Sequence, residues 1–250
     1  ETDPNITIKS YDKIIRRFDQ RKYDVLYIDE GQDLCSLDVF DNLSKKLTKG
    51  LEQGSWRWFM DPNKQANLRG IFDPEALQVL RSGFGHVPML QKLNWNVRNT
   101  KQIVDFAEAQ TGAAVGNARI SDTADEPLIV QVTSAELVSA THSSIDHYRN
   151  KDVNLENIGL VFSAALRADI KELIISSLGD KATELSGTSV NLGLQNKILF
   201  GDAARFKGLE KPIIICVGFT SNIIDSDLIN EKYVAVTRAN YSITLIQDLE

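Results

Sequence analysis

Tyr23-Asp24-Val25-Leu26-Tyr27-Ile28-Asp29-Glu30-Gly31-Gln32-Asp33 is the stretch that decides how the chain is read. A short apolar run ends abruptly in acids and a glycine. A run of this length, bounded by turn residues, predicts a buried strand over Tyr23 to Ile28. In an open α/β sheet, ligands sit beyond the carboxyl ends of the strands. Asp29 and Glu30 therefore fall where a site would be. Two adjacent acids there can divide labour: one holds Mg²⁺ through oxygen, and the other orients or deprotonates an attacking water. The plainer alternative is a turn that ends in acids, as many do.

Outward from this strand, the signals alternate. Ser10 to Arg21 has helical spacing, with Ile14, Ile15 and Phe18 on one face. Asp38 to Lys49 reads as a helix stopped by Gly50, and Trp56 to Met60 as a second strand ending in an acid. Thr100 to Gln110 is a helix with Thr100 as its N-cap. Gly112 to Glu126 reads as a polar surface connection. Strands are expected at Leu128–Val132, Ile158–Phe162, Ile213–Val217 and Ser242–Ile246, and helices at Ala135–Tyr148, Ala165–Leu178 and near Glu231 to Ala239. Such alternation favours parallel sheets covered by helices on both faces.

Four further segments carry side chains suited to phosphate chemistry. Asp61-Pro62-Asn63-Lys64-Gln65 closes the second strand, and the Gln65 amide can both donate to a phosphate oxygen and accept from water. Leu93-Asn94-Trp95-Asn96-Val97-Arg98-Asn99-Thr100 leads into a helix, and the guanidinium of Arg98 is always charged and forks onto phosphate oxygens. Arg205-Phe206-Lys207-Gly208-Leu209-Glu210 precedes a strand, and Gly208 lets backbone approach a phosphate. Tyr233-Val234-Ala235-Val236-Thr237-Arg238-Ala239 ends in a second arginine. Each segment has a bland counterpart: an Asp-Pro-Asn turn, a solvated arginine, a charged turn, a core helix.

Taken in order, Tyr27–Asp33 resembles motif II, and these four segments resemble motifs III, IV, V and VI, of UvrD/Rep-like superfamily 1 DNA helicases. The series covers nearly the whole chain. The resemblance implies an ATP-dependent helicase or translocase on single-stranded DNA, with ATP and Mg²⁺ as cofactors. It implies α/β architecture of P-loop NTPase (RecA-like) type: residues 1–92 as the back half of a first motor domain, and 93–250 as a second RecA-like domain. ATP is expected in the cleft between them. On that reading Asp29 and Glu30 bind the metal, Glu30 activates water, and Gln65, Arg98 and Arg238 act at the γ-phosphate. Asp29, Gln32, Lys207, Gly208 and Glu210 bind the nucleotide, Glu210 through its sugar.

The chain also departs from the family pattern. No Gly-x-x-x-x-Gly-Lys-Ser/Thr loop occurs, so the chain is expected to be a C-terminal fragment that hydrolyses ATP negligibly by itself. Asp202 and Ala204 replace the Thr and His usual before the motif V lysine. Ala66, Asn67 and Leu68 offer no base-stacking aromatic, and Val97 stands where motif IV often has one, with Trp95 nearby. The short interval from Arg98 to Lys207 leaves no room for a 2B insertion. The resemblance is also compatible with a nuclease domain fused upstream, with a non-catalytic interaction module, and with an RNA-directed motor.

Bulk properties set outer limits. The 250 residues are 42% hydrophobic with net charge −6, which disfavours a simple DNA-coating protein but not a motor with a local basic groove. No apolar run suits a membrane span. Cys35 and Cys216 are isolated, which predicts reduced, buried thiols in a cytoplasmic protein. His86, His142 and His147 lack metal-ligand spacing.

Overall fold

The computed structural model describes residues 6–15, 20–61, 71–85, 90–120, 125–185, 196–220 and 225–249. The chain divides into two compact units, with Lys92 in the first and the stretch from Leu93 to the C-terminus in the second.

In the first unit, helix α1 (Tyr11–Ile14) is a single turn, and Phe18 lies outside the described residues. Strand β1 (Val25–Ile28) leads through a 3₁₀ turn at Gly31–Asp33 to β2 (Leu34–Cys35). Helix α2 (Leu37–Lys46) starts where the Ser36 hydroxyl accepts from Val39 N at 3.4 Å. It buries Val39, Phe40 and Leu43, the helical i, i+1, i+4 face. The helix expected to run to Lys49 stops at Leu47, which turns extended. Gly50, at φ +64, does not stop a helix but opens α3 (Gly50–Gln53). Then come β3 (Ser55–Trp58), β4 (Ile71–Phe72) and α4 (Pro74–Arg81). Helix α4 adds to the elements expected from the sequence. Asp73 caps it by accepting from Glu75 N at 2.8 Å, and Pro74 occupies its first turn.

Strands β1 and β3 pair in parallel, as do β2 and β4. Leu26 and Ile28 point into a core with Phe40, Leu43, Leu47 and Leu80. The opposite side of β1 carries Val25 and Tyr27, 46% and 72% exposed. The expectation of a fully buried strand therefore fails: β1 is buried on one face, because α2 and its neighbours pack on that face only.

The second unit opens with β5 (Trp95–Thr100), α5 (Lys101–Thr111) and β6 (Asn117–Ile120). Two corrections arise here. The Trp95–Thr100 segment is itself a strand, and the polar connection after Gly112 contains β6, its parallel partner. There follow β7 (Leu128–Val132), α6 (Leu137–Arg149), β8 (Ile158–Phe162), α7 (Ala168–Leu178) and β9 (Ala182–Glu184). The unit closes with β10 (Ile198–Asp202), β11 (Lys211–Thr220), α8 (Ser226–Val236) and β12 (Ala239–Asp248). The last helix thus lies earlier than the expected Glu231–Ala239, since Asp225 caps it through Asp227 N and Ala239 already belongs to β12.

Six described strands form one parallel sheet in the order β7-β12-β11-β8-β10-β9. Its two faces pack two cores. Ile158, Leu160, Phe162, Ile213, Ile215 and Val217 meet α6 and α7. Val161, Ile214, Cys216, Ile243 and Leu245 meet α5 and α8. Alternation along each strand divides the residues between the faces, and burial on both explains the unbroken apolar runs of β8 and β11. The fold is mixed α/β, as expected. No helix among the described residues is long and apolar enough to cross a membrane.

Candidate functional site

In the first unit, the acids sit at the carboxyl end of β1. Phe59 N donates to Ile28 O at 2.9 Å, and Gly31 N donates to Phe59 O at 2.8 Å, so the chain leaving β3 anchors the acid turn on both sides. Glu30 adopts φ 49, ψ 40, the left-handed region, where a non-glycine residue costs about 1 kcal/mol or more. Two contacts offset that cost. Glu30 N donates to Asp29 Oδ1 at 3.0 Å. Gln32 Nε2 donates to Glu30 Oε2 at 2.5 Å.

Gln32 is fully buried, and its Oε1 accepts from Asp61 N at 3.0 Å. The partners set the amide's orientation, because a carboxylate only accepts and a backbone N–H only donates. Gly31 is required sterically: a Cβ there would lie 1.9 Å from Trp58 Nε1. Trp58 itself is packed edge-on against Phe40 with ring centroids 5.3 Å apart.

The acid pair suits Mg²⁺, which binds through one or two carboxylates plus substrate phosphates more often than in a closed protein cage. Asp29 is exposed and Glu30 half-buried. No group of three or more His, Cys, Asp or Glu among the described residues forms a cage. Gln65, together with Ala66, Asn67 and Leu68, lies outside the described residues.

In the second unit, the structure brings Arg98 and Glu210 together. Arg98 Nε and Glu210 Oε1 are 2.8 Å apart, with side chains 40% and 39% exposed. Two asparagines position Arg98. Asn96 Oδ1 accepts from Arg98 N and Asn99 N, both at 2.9 Å, forming a local turn inside β5. Asn99 is buried; its Oδ1 accepts from Asn96 Nδ2 at 2.9 Å, and its Nδ2 donates to Thr237 O at 3.1 Å and to Ala239 O. Asn99 therefore ties β5 to the backbone on both sides of Arg238. Nothing in the local sequence gives either asparagine this role. Trp95 and Val97 on β5 are each 63% exposed.

Arg238 is not at the surface. It is 1% exposed, and donates from Nε to Val234 O and from Nη2 to Thr237 Oγ1, both at 3.1 Å. Lys207 is half-buried and Gly208 exposed in the turn before β11. Gly208 has φ +80, and a Cβ added there would meet nothing within 4 Å, so its backbone angle, and not lack of room, demands glycine. Asp202 acts locally. Its Oδ1 accepts from Arg205 N at 2.8 Å, and Arg205 in turn pairs with Glu184.

At the carboxyl end of the central strand β8, Glu231 is buried. It accepts from Ala164 N at 2.8 Å and from Ser163 Oγ at 3.3 Å. Desolvation holds its carboxyl above the usual range, against the lowering effect of those hydrogen bonds. Beside it, burial lowers the Lys232 ammonium, which donates to Thr220 O at 3.2 Å. No sequence motif marks either residue as buried. Both cysteines are free and buried, with Cys35 pushed up to about 11 chiefly by desolvation.

The chain matches no family model and no curated protein. Among solved structures it is similar to the C-terminal domain of a possible DNA helicase from Lactobacillus plantarum WCFS1. That likeness has a TM-score of 0.47 and 20% identity, over 61% of this chain and 88% of the other. At that level it carries neither fold nor function, which rest on the residues above.

Proposed function

We propose that the chain is the C-terminal part of an ATP-dependent DNA helicase or translocase acting on single-stranded DNA, with RecA-like units. The single observation that carries this reading is the acid turn: Asp29 and Glu30 at the carboxyl end of a parallel strand, with Glu30 held in a left-handed conformation by a buried amide. Strain of that kind is kept where the surroundings over-determine it, commonly at functional positions. The ordered segments that resemble motifs II to VI give the turn its context.

The residues take the following parts. Mg²⁺, when bound through Asp29 and Glu30, supplies charge neutralisation at the phosphates. Glu30 accepts the proton of the attacking water. Arg98 contacts the γ-phosphate, Glu210 the sugar, and Lys207 with the Gly208 backbone the nucleotide; Arg238 joins Arg98 at the γ-phosphate only after it leaves Val234 O and Thr237 Oγ1. Trp95 and Val97 offer exposed apolar side chains for the base.

Arg98 and Glu210 are paired to each other, so one must release before both meet a nucleotide. The magnitudes permit that release. An ion pair this exposed is worth about 0–1 kcal/mol, whereas a charge-assisted fork onto phosphate is roughly twice as strong as a neutral hydrogen bond. Gln65 keeps its assignment at the γ-phosphate as part of the same proposal.

Hydrolysis needs a phosphate-binding loop, and the 250 residues hold none. The test therefore uses a longer protein that carries this chain together with such a loop. Its ATPase should be stimulated by single-stranded DNA, and Glu30→Gln should reduce turnover by at least 100-fold, roughly the scale of a general base, while nucleotide still binds. Stimulation by RNA alone would redirect the reading to an RNA motor. Retained turnover in the Glu30→Gln variant would defeat the general-base assignment.

A further inference from the structure

We infer that Gln32 is a positioning residue that couples the placement of Glu30 to the chain leaving β3. The inference concerns geometry, and only its catalytic consequence rests on the proposed role of Glu30. Gln32 is fully buried and spends both ends of its amide inside the protein: Nε2 on Glu30 Oε2 at 2.5 Å, Oε1 on Asp61 N at 3.0 Å. It has no solvent-facing group with which to touch a nucleotide, so it serves the site through Glu30.

The two contacts are joined by one rigid, planar group. The backbone bonds between Gly31 N and Phe59 O and between Phe59 N and Ile28 O fix the frame around it. A displacement of Asp61 therefore moves the amide oxygen, and the amide nitrogen carries the displacement to the carboxylate. Without the amide, the Glu30 carboxylate loses the donor that holds Oε2, and the left-handed backbone loses a compensating contact.

Gln32→Met keeps the volume and removes both bonds. Glu30→Ala removes the acceptor for Gln32 Nε2, whereas Glu30→Gln keeps one. The experiment uses the 250-residue chain and nuclear magnetic resonance, reading amide hydrogen exchange and chemical shift at Asp61 in four proteins: wild type, Glu30→Ala, Gln32→Met and the double variant.

The expected result has three parts. Glu30→Ala shifts the Asp61 amide through the intervening Gln32. Gln32→Met speeds Asp61 exchange roughly 2- to 10-fold, the scale of one hydrogen bond. Glu30→Ala then has no further effect at Asp61 in the Gln32→Met background. A merely structural role for Gln32 would give additive effects instead. An unchanged response of Asp61 to Glu30→Ala in the Gln32→Met background overturns the inference. Should Gln32→Met fail to fold, Glu30→Gln, which keeps an acceptor for Gln32 Nε2, must leave the Asp61 amide near its wild-type shift while Glu30→Ala moves it; equal shifts in the two variants overturn the inference equally. These readouts are blind to ATP, so an inactive longer protein would sink the proposed function and leave the coupling standing.

Discussion

Asn99 offers the sharpest test of how the arginine-bearing strand is held. Its Nδ2 donates to two backbone carbonyls, Thr237 O at 3.1 Å and Ala239 O, in a position 2% exposed. Asn99→Ala removes those donors and leaves two buried carbonyls and Asn96 Nδ2 without their partner. Each lost bond costs about 0.5–1.5 kcal/mol, and a buried group left unpaired costs more. The total is about 2–3 kcal/mol, or a Tm lower by roughly 4–12 °C for a domain of this size.

Asn99→Asp preserves the shape almost atom for atom, and on size alone should be the milder change. The hydrogen-bond directions say the opposite. Aspartate turns a donor into an acceptor and aims a buried carboxylate at two carbonyl oxygens, so it should destabilise more than alanine. Facing acceptors in a buried site, that carboxylate would ionise only above the usual range. Its penalty is therefore smallest below the unfolded carboxylate range and grows as pH rises above that range towards the raised folded value. Scanning calorimetry of the three proteins at about pH 4, close to the unfolded carboxylate value, and at about pH 7.5, well above it, reads the order directly. If Asn99→Asp proves as stable as wild type, or milder than Asn99→Ala at the higher pH, the assigned amide orientation and the clamp on the Arg238 segment are wrong.

Two further outcomes are expected. The raised pKa of Glu231 means that the folded state holds this proton more tightly than the unfolded chain, so its stabilising contribution is present below the unfolded value of 4.5 and is lost as pH rises through the folded one; urea unfolding of Glu231→Gln, which keeps the acceptor for Ala164 N, should show a flatter fall across that window, and an identical pH profile would refute the assignment. Gly31→Ala drives a methyl into the Trp58 indole, with a Cβ 1.9 Å from Nε1, and should cost about 1–3 kcal/mol while changing tryptophan emission; trimming the ring with Trp58→Leu should erase the added cost of the alanine, and full additivity of the two substitutions would show that the contact is not what excludes a side chain.

Much of the local structure is legible in the sequence because it follows from short-range patterns. Ile158–Phe162 and Ile213–Val217 are strands in the sheet, as their apolar runs predict, and Thr100 sits at the start of α5, though its hydroxyl makes no capping hydrogen bond there. Helix α8 lies away from its expected place because Tyr233, Val236 and Ala239 share helical spacing, yet β12 claims Ala239 through parallel pairing with Lys211 on β11. Strand β5 is hidden because Asn96, Arg98 and Asn99 are poor strand formers, and the pairing with β6 overrides their preference.

The sequence by itself determined the chemistry available: which segments end in acids, which carry guanidinium groups, and where glycine interrupts. Tertiary structure decided how those groups are used. Gln32 reads equally well as a ligand contact or a brace until Asp61, 29 positions away, is seen to occupy its oxygen. Asn99 gains its role only from carbonyls 138 and 140 positions distant. Arg238, whose motif resembles a phosphate contact, lies buried against the C-terminal turn of α8. The physical reason is common to all three. A polar side chain advertises donors and acceptors in the sequence, but which partner satisfies them is settled by burial, and burial is a property of the whole packed chain.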